Sequence, residues 1–253
     1  GYKDGRKPLR LNRNINLLDD DAQARNQIYQ QTRLVEYINQ TPIIQLILES
    51  VEADDIISFI VNDQRHKGWQ KVIVSSDKDF YQLCDDETII YRPIQKEVHN
   101  KNSIIEQFDI HPTNFALARA IAGDKSDNLR GVERVGLPTV AKRLPFLREE
   151  KTYTINDIYE YCKVQESKVK AYDNIVEQID LVETNYKVMQ LYTPSISAQG
   201  RNKIRWTLDE FDYSFNKTQF LKMTVEDGFG SGDWTSLFGS LKKICINNKL
   251  EMK

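Results

Sequence analysis

The stretch KVIVSSDKDF, residues 71–80, joins an apolar run to two carboxylates, Asp77 and Asp79, and so predicts a β-strand that ends in acids. Upstream, PIIQLILES at 42–50 predicts a buried strand, and residues 53–66 predict a helix. A strand, a helix and a second strand within so short a span make a βαβ unit. We therefore expect an α/β fold with a parallel sheet and helices on its faces.

The rest of the chain favours helices. A short β-like stretch, TIIYRPI at 88–94, precedes a helical pattern that runs from Lys101 to about Leu191. An α/β domain followed by an α-helical domain is the simplest organisation. The predicted boundaries are 1–100 for the α/β domain, 101–192 for the helical domain and 193–253 for an unassigned tail.

In the tail, apolar residues recur at three- and four-residue spacing, which predicts an amphipathic helix with Asp233 as its cap. These residues are Trp234, Leu237, Leu241 and Ile244. Two interpretations remain open: the helix packs back on the protein core, or it binds a partner such as a single-strand-binding protein.

Composition excludes several classes of protein. The net charge is only −2, so any contact with nucleic acid must come from local patches. Cys84, Cys162 and Cys245 are odd in number and widely spaced, which fits neither a disulfide framework nor a zinc knuckle and favours the reducing cytoplasm. No apolar run reaches the roughly 20 residues of a membrane helix.

Three groups of acids each follow directly on an apolar element. They are Glu52, Asp54 and Asp55, then Asp77 and Asp79, then Asp124 and Asp127. In a parallel sheet the carboxyl ends of the strands share one edge, where ligands collect. Seven carboxylates brought together repel one another unless divalent cations offset their charge, and an all-oxygen set favours magnesium or manganese over zinc.

Each group alone also has a structural explanation. Asp54 and Asp55 suit the positive end of a helix dipole. Asp77 suits a turn after a strand, Asp79 suits a helix cap, and the third group suits caps in a polar loop. The coincidence of all three groups at the ends of apolar elements is what favours the metal-site hypothesis.

The segment NLRGVERVGLPTVAKRL, residues 128–144, contains a second candidate functional motif. Gly131 and Gly136 permit a tight turn that exposes backbone N–H groups, and the helix that follows presents its N-terminus. This is the helix-hairpin-helix pattern, which holds a nucleic-acid backbone without reading its bases. An ordinary turn between two helices, closed by glycine, is the structural alternative.

Four short motifs follow one another along the chain: SVEADD (50–55), SSDKDF (75–80), GDKSDN (123–128) and RGVERVG (130–136). In this order and at these separations they resemble the structure-specific 5′ nuclease family, the flap endonucleases and 5′ to 3′ exonucleases. The divergent phage branch, with the phage-type ribonuclease H enzymes, is nearest. The resemblance implies a PIN-like nuclease domain followed by a helix-hairpin-helix domain.

The resemblance also implies roles for particular residues. All seven acids would hold two Mg²⁺ ions, with Mn²⁺ as a substitute, and K⁺ would bind at the hairpin. The opening YKDGR is similar to the signature at the base of the family's helical arch, which makes Lys3 and Arg6 catalytic candidates within a basic segment at 1–40. The implied DNA contacts are Arg119, Gly131, Val132, Gly136, Thr139, Lys142 and Arg143.

This chain departs from the family pattern at two places. Leu137 and Pro138 stand where the family usually has a lysine, and Arg119 stands where many relatives have one. The family also carries an Asp on its first strand, whereas this sequence begins in mid-pattern at Gly1. We therefore expect upstream strands to be missing and the chain by itself to be a poor nuclease.

The activity implied is metal-dependent hydrolysis of phosphodiester bonds at DNA 5′ ends or 5′ flaps, and at RNA/DNA primer hybrids, by a monomer during replication. Two alternatives remain. A PIN-type ribonuclease would share the acids but has no need of the hairpin. A non-catalytic, structure-specific DNA-binding module would keep the hairpin without the chemistry.

Overall fold

The computed structural model describes residues 20–165, 169–230 and 232–251. Within them the chain divides into two compact units. The first is residues 50–196, and the second is residues 20–49 together with 197–251. The domain boundaries predicted from the sequence stay predictions.

The helices of the described residues are α1 (Asp20–Ile38), α2 (Ala53–Val61), α3 (Lys101–Phe108), α4 (Phe115–Ala122), α5 (Leu137–Arg143), α6 (Ile155–Lys163), α7 (Lys170–Glu177), α8 (Ile179–Met189), α9 (Ala198–Asp209), α10 (Lys217–Glu226) and α11 (Thr235–Glu251). The strands are β1 (Lys71–Val74), β2 (Thr88–Arg92), β3 (Glu97–His99), β4 (Gly123–Asp124) and β5 (Leu129–Arg130). Short 3₁₀ helices cover Gln64–His66, Lys78–Leu83, Pro112–Asn114 and Pro145–Arg148.

The main sheet of the first unit has the order β1-β2-β3. Strand β1 pairs in parallel with β2, with Ile73 opposite Ile90, and both side chains are buried in the core. Strand β3 returns and pairs antiparallel with β2. The α/β class and the two strands predicted from KVIVSSDKDF and TIIYRPI are confirmed, although no sequence pattern predicts β3.

The strand predicted at 42–50 is wrong. Residues 43–48 adopt no strand, and Ile43 and Ile47 are exposed. A strand is stable only when its backbone groups pair with a neighbour, and no described residue pairs with this segment. The predicted βαβ unit is therefore absent from the described residues, and the connection between β1 and β2 contains a 3₁₀ helix instead.

Helix α4, FALARAIA, lies at the centre of the first unit because its side chains are almost all apolar. The buried residues are Phe115, Ala116, Leu117, Ala118, Ala120 and Ile121. Burying each of the large ones stabilises the fold by roughly 1.5–3 kcal/mol. The helix packs along α8 and against α5. Arg119 is the one charged side chain that α4 carries.

In the second unit, α1, α10 and α11 share an aromatic core. Phe220 and Phe238 meet with their ring centroids 5.6 Å apart, and Tyr37 of α1 packs on Phe220 at 5.2 Å. Asp227 follows α10 and accepts hydrogen bonds from the Tyr37 hydroxyl and from Arg33 Nε, both at 2.7 Å. These contacts fix α1 to the end of α10.

The helix predicted in the tail is α11, and its predicted cap is confirmed, because the Asp233 carboxylate accepts a hydrogen bond from the Thr235 N–H at 2.9 Å. Leu237 is 41% exposed. The other predicted apolar positions pack into the aromatic core of the second unit, namely Trp234, Leu241 and Ile244. The tail helix thus packs within this unit, and its binding to a partner stays a prediction.

Among the helices described, none combines the length and the apolar composition that crossing a lipid bilayer requires.

Candidate functional site

The second acidic motif follows directly on strand β1. The chain leaves the sheet at Val74 and soon enters the 3₁₀ helix Lys78–Leu83. Asp77 caps this helix by accepting a hydrogen bond from the Asp79 N–H at 2.9 Å. Phe80 is buried and anchors the turn in the core. The capping role therefore falls to Asp77 rather than to Asp79.

Helix α4 delivers the third acidic motif. It ends at Ala122, and β4 and β5 then fold the chain into a tight hairpin. Asp124 Oδ1 accepts hydrogen bonds from the Ser126 N–H at 2.7 Å and from the Ser126 hydroxyl at 2.5 Å. Asp127 is only 6% exposed. The hairpin therefore holds both acids of this motif on its inner side.

Two features hold this hairpin against the core. Asn185 of α8 donates to the carbonyl oxygens of Ala120 and Arg130, each at 2.9 Å. The backbones of Gly123 and Gly131 cross so closely that a Cβ on Gly131 would lie 2.1 Å from the Ala122 carbonyl oxygen. Gly131 is therefore required by close packing of the two backbones.

The two motifs converge on one carboxylate cluster. One oxygen from each of Asp79, Asp124 and Asp127 lies within 4.8 Å of the other two. Among the residues whose side chains are described, no other three potential metal ligands come so close. Three carboxylate oxygens without nitrogen or sulfur match the ligands of a hard divalent cation such as Mg²⁺ or Mn²⁺.

Arg119 balances part of this negative charge. Its Nη2 donates to Asp79 Oδ1 at 2.9 Å and also to Asp124, while its Nε donates to Asp79 Oδ1 at 3.2 Å. The side chains are 11% exposed for Arg119, 15% for Asp79 and 13% for Asp124. The guanidinium thus bridges the second and third motifs in a largely dry environment.

The pKa values of the two carboxyls that Arg119 bridges shift in opposite directions. Burial raises the pKa of Asp79, and the charge of Arg119 offsets this only in part. Burial acts in the same direction on Asp124, but two hydrogen bonds from Ser126 and the charge of Arg119 outweigh it, so the pKa of Asp124 lies below its usual value. Although burial would lower it, the two carboxylates raise the pKa of Arg119, which stays charged.

The first acidic group lies at the start of α2. Glu52 is the N-cap residue without a capping side-chain hydrogen bond, and Asp54 and Asp55 occupy the first turn, where the helix dipole favours negative charge. Asp55 also accepts a hydrogen bond from the Ser195 N–H at 3.3 Å. None of the three belongs to the carboxylate cluster, so a seven-acid site stays a prediction.

A polar cavity of about 320 Å³ opens between the second and third motifs. It is lined by Ser76, Asp77, Lys78, Arg119, Asp124 and Ser126. Lys78 and Ser126 were not among the predicted site residues, although each sits between the acids of its motif in SSDKDF and GDKSDN. Their position inside an acidic motif is the signal that identifies them.

The second hairpin glycine differs from the first. Gly136 has φ −93°, which any residue can adopt, and an added Cβ would meet only Pro138 Cδ at 3.9 Å. The backbone at Gly136 therefore does not require glycine. Gly136 is exposed and precedes α5, so the absence of a side chain there leaves the space in front of that helix open.

The other predicted DNA contacts are distributed over α5 and the core. Lys142 is exposed, and Thr139 and Arg143 are half-buried. Val132 is buried, and its N–H donates to the Ile121 carbonyl at 2.8 Å. We therefore leave Val132 out of the proposed DNA surface.

The catalytic candidates Lys3 and Arg6 lie outside the described residues, as do residues 1–19 of the basic segment as a whole.

Comparisons with known proteins indicate the family that this chain resembles. Residues 1–109 match the family of 5′-3′ exonuclease N-terminal, resolvase-like domains. A curated relative, the 5′-3′ exonuclease of Aquifex aeolicus, is 29% identical over 192 residues, which cover 70% of this chain and 61% of that protein. The chain therefore spans less than two thirds of this relative.

Two solved structures share the fold. The T5 D15 protein co-crystallised with metal ions aligns with a TM-score of 0.63 at 19% identity, over 82% of this chain and 76% of that one. A bacteriophage T5 D15 flap endonuclease pseudo-enzyme-product complex with DNA and metal ions aligns with a TM-score of 0.54 at 17% identity, over 84% and 70%. The match of residues 1–109 to the 5′-3′ exonuclease N-terminal domain and the similarity to the Aquifex relative confirm the resemblance to the structure-specific 5′ nucleases.

Proposed function

We propose that this chain is a metal-dependent phosphodiesterase of the 5′ to 3′ exonuclease and flap endonuclease type. The observation that carries the proposal is the carboxylate cluster of Asp79, Asp124 and Asp127 beside an open polar cavity. It occurs in a chain whose N-terminal part matches the exonuclease domain. The substrate we propose is a DNA 5′ end or 5′ flap, or the 5′ end of an RNA/DNA primer hybrid.

The cluster fits a divalent cation, and we propose Mg²⁺, with Mn²⁺ as a substitute. Asp79, Asp124 and Asp127 would hold one ion, and the remaining predicted acids, including Asp77 on the cavity wall, would help hold a second. When bound, such ions supply Lewis-acid polarisation of the phosphate and an activated water. Two hydrogen bonds from Ser126, together with the charge of Arg119, hold the pKa of Asp124 below its usual value and favour its ionised form, which is the state that a cation requires.

The cationic side chains of the site bind and orient the phosphodiester. Arg119 and Lys78 line the same cavity as Asp77 and Asp124, so they can neutralise the charge of a phosphate that lies beside the acids. Lys3 and Arg6 are proposed to contact the scissile phosphate from the basic segment. Burial around Arg119 strengthens its electrostatic contribution, because a dry environment screens charges less than water does.

The hairpin before α5 is proposed to hold the duplex downstream of the cleaved bond. Lys142 is exposed in the last turn of α5, with Arg143 beside it, so both can contact a phosphate backbone. Gly131 holds the hairpin against α4, and Gly136 leaves the approach to α5 open. A K⁺ ion between the hairpin and the DNA belongs to the same proposal, as does a DNA contact by Thr139.

Further parts of the proposal concern the setting of the protein. We propose that it acts as a cytoplasmic monomer during DNA replication, alongside a single-strand-binding protein. The T5 complex with DNA and metal ions supports a DNA substrate by its similar fold, and the Aquifex relative supports the exonuclease class.

The test is magnesium-dependent cleavage of an end-labelled 5′-flap duplex, with single-stranded RNA of the same length as a second substrate. We expect slow but measurable cleavage of the flap in Mg²⁺, none in EDTA, and cleavage that is weaker by more than about 100-fold for Asp124→Asn. Asp180→Asn is the matched control, because Asp180 is an exposed acid in the first turn of α8 and does not line the cavity.

Each rival function has its own outcome in this assay. Faster cleavage of single-stranded RNA than of the flap would favour a PIN-type ribonuclease. Tight binding of the flap duplex without cleavage in Mg²⁺ or Mn²⁺ would favour a non-catalytic DNA-binding module.

A further inference from the structure

Arg119 occupies an unusual place for an arginine. It is the one charged side chain of a helix that otherwise packs into the core, and 11% of its side chain is exposed. It contacts Asp79 and Asp124, two of the three acids in the carboxylate cluster. A charge buried to this degree is held by its partners and is costly to leave unpaired.

The ion pair of Arg119 with Asp79 and Asp124 uses carboxylate oxygens that a bound metal ion would also need. Asp79 Oδ1 accepts hydrogen bonds from both Nε and Nη2 of Arg119, and Asp124 accepts from the same Nη2. A divalent ion within reach of the three carboxylates needs lone pairs from these same groups. It would also repel a guanidinium only a few ångströms away. The two cations therefore cannot both hold the cluster at full strength.

The cavity offers Arg119 a second place to bind. Arg119 lines its wall together with Lys78, so the guanidinium borders the space that a substrate phosphate would enter. The hydrogen bonds from Arg119 to the two acids use Nε and Nη2, so neither acid engages Nη1. The planar fork of arginine matches two oxygens of a phosphate, which the single ammonium of lysine does not.

We propose that Arg119 is an exchangeable counter-ion: it neutralises Asp79 and Asp124 while the metal is absent, and it passes to the substrate phosphate when the metal binds. This inference rests on the proposed function and deepens it. Arg119 makes metal binding and phosphate binding depend on each other, because each ligand takes over a partner that the other gives up. It is a positioning residue for the acids and a binding residue for the phosphate.

The first measurement is calorimetric titration of the protein with Mg²⁺ at pH 8, without nucleic acid. Removing the guanidinium frees carboxylate oxygens and removes a repelling charge, so Arg119→Gln should bind Mg²⁺ roughly tenfold more tightly than the unchanged protein. Arg119→Lys keeps the charge and should stay close to the unchanged protein. Lys187→Gln, an exposed cation on α8 outside the cavity, is the control and should have no effect.

A thermal measurement checks the same exchange. Without metal, Arg119→Gln leaves the Asp79 and Asp124 carboxylates close together without a counter-ion, so its Tm should fall below that of the unchanged protein. Mg²⁺ should then raise the Tm of the variant by more than it raises that of the unchanged protein, because the ion replaces the missing charge. Weaker or equal Mg²⁺ affinity in Arg119→Gln would overturn the proposal, since Arg119 would then arrange the acids for the ion.

The second measurement is the binding of inorganic phosphate with and without Mg²⁺. In the unchanged protein, Mg²⁺ should tighten phosphate binding. In Arg119→Gln most of that gain should be lost although Mg²⁺ still binds, and Arg119→Lys should restore only part of it. An undiminished gain in Arg119→Gln would overturn the transfer of Arg119 to phosphate.

These measurements do not depend on cleavage, so the counter-ion proposal and the nuclease proposal can be refuted independently of each other. If Asp124→Asn abolishes flap cleavage while Arg119→Gln binds Mg²⁺ no more tightly, the nuclease proposal stands and the counter-ion proposal falls. If Arg119→Gln behaves as expected but no variant or parent cleaves the flap, the counter-ion proposal stands in a protein that is not a nuclease.

Discussion

Replacing Gly131 with alanine should destabilise the first unit far more than the same replacement at Gly136. An added Cβ at Gly131 would lie 2.1 Å from the Ala122 carbonyl oxygen and 2.3 Å from its carbon, and these are backbone atoms that cannot rotate away. Ordinary contacts between carbon and oxygen are about 3.3 Å, so the two backbones must separate by roughly 1 Å.

That separation falls where the hairpin is tied to α4. The Val132 N–H donates to the Ile121 carbonyl at 2.8 Å, and β4 pairs with β5 through Gly123 and Arg130. Overpacking typically costs about 1–3 kcal/mol and a broken buried hydrogen bond about 1–3 kcal/mol, so Gly131→Ala should lower the free energy of unfolding by about 2–6 kcal/mol. Gly136→Ala meets open space at a favourable φ and should stay within about 0.5 kcal/mol.

The assay is urea denaturation of the three proteins followed by far-ultraviolet circular dichroism. If Gly131→Ala unfolds at the same urea concentration as Gly136→Ala, the crossing of the two glycine backbones does not constrain the fold. Gly136→Val then separates folding from DNA binding: it should unfold like the unchanged protein but bind a flap duplex more weakly, because a side chain there blocks the approach to α5. An unchanged affinity with unchanged salt dependence would show that the hairpin is only a structural turn.

Three further predictions follow from the site and from the second unit. Asp79→Asn and Asp124→Asn should each lower kcat for flap cleavage by more than about 100-fold, exceeding the 10–100-fold typical of residues that only orient a ligand, and near-normal turnover at saturating Mg²⁺ would contradict the assignment. Asp227→Asn should lower the Tm at pH 7, because the hydrogen bond from Arg33 holds the pKa of Asp227 below its usual value. That stabilisation is present above the ordinary pKa of about 4 and is lost as the pH falls through the lowered value, so the difference in Tm should shrink as the pH is lowered below about 4. Deleting residues 228–253 removes aromatic side chains from the core of the second unit and should lower its Tm by about 5 °C or more, whereas an unchanged Tm would favour a free, partner-binding helix.

The elements that the sequence predicts well are those with a local signal. KVIVSSDKDF contains its own strand and turn, and FALARAIA is so apolar that its place in the core follows from composition. PIIQLILES carries an equally apolar run, yet a strand also needs a pairing partner, which periodicity does not reveal. The same limitation explains why β3 has no prediction.

The features of the candidate site also divide into those that the sequence predicts and those that only the folded structure reveals. Asp79, Asp124 and Asp127 could be predicted as a group because each follows an apolar element. The contacts of Asp79 and Asp124 with Arg119 could not be predicted, since Arg119 lies 40 residues from Asp79 along the chain and meets it only after α4 packs. Gly131 and Gly136 look equivalent in sequence, and only the distance between backbones tells the packed glycine from the open one.

The place of α4 at the centre of the core has a consequence for how the site moves. Its amide protons should exchange with solvent only when the whole first unit unfolds, whereas those of Lys125, Ser126 and Asn128, whose side chains are exposed, should exchange through small local openings. One wall of the carboxylate cluster is therefore rigid and the other is adjustable. A cation of larger radius would be accommodated by displacement of the loop that carries Asp124 and Asp127, while the arginine on α4 keeps its position in the helix.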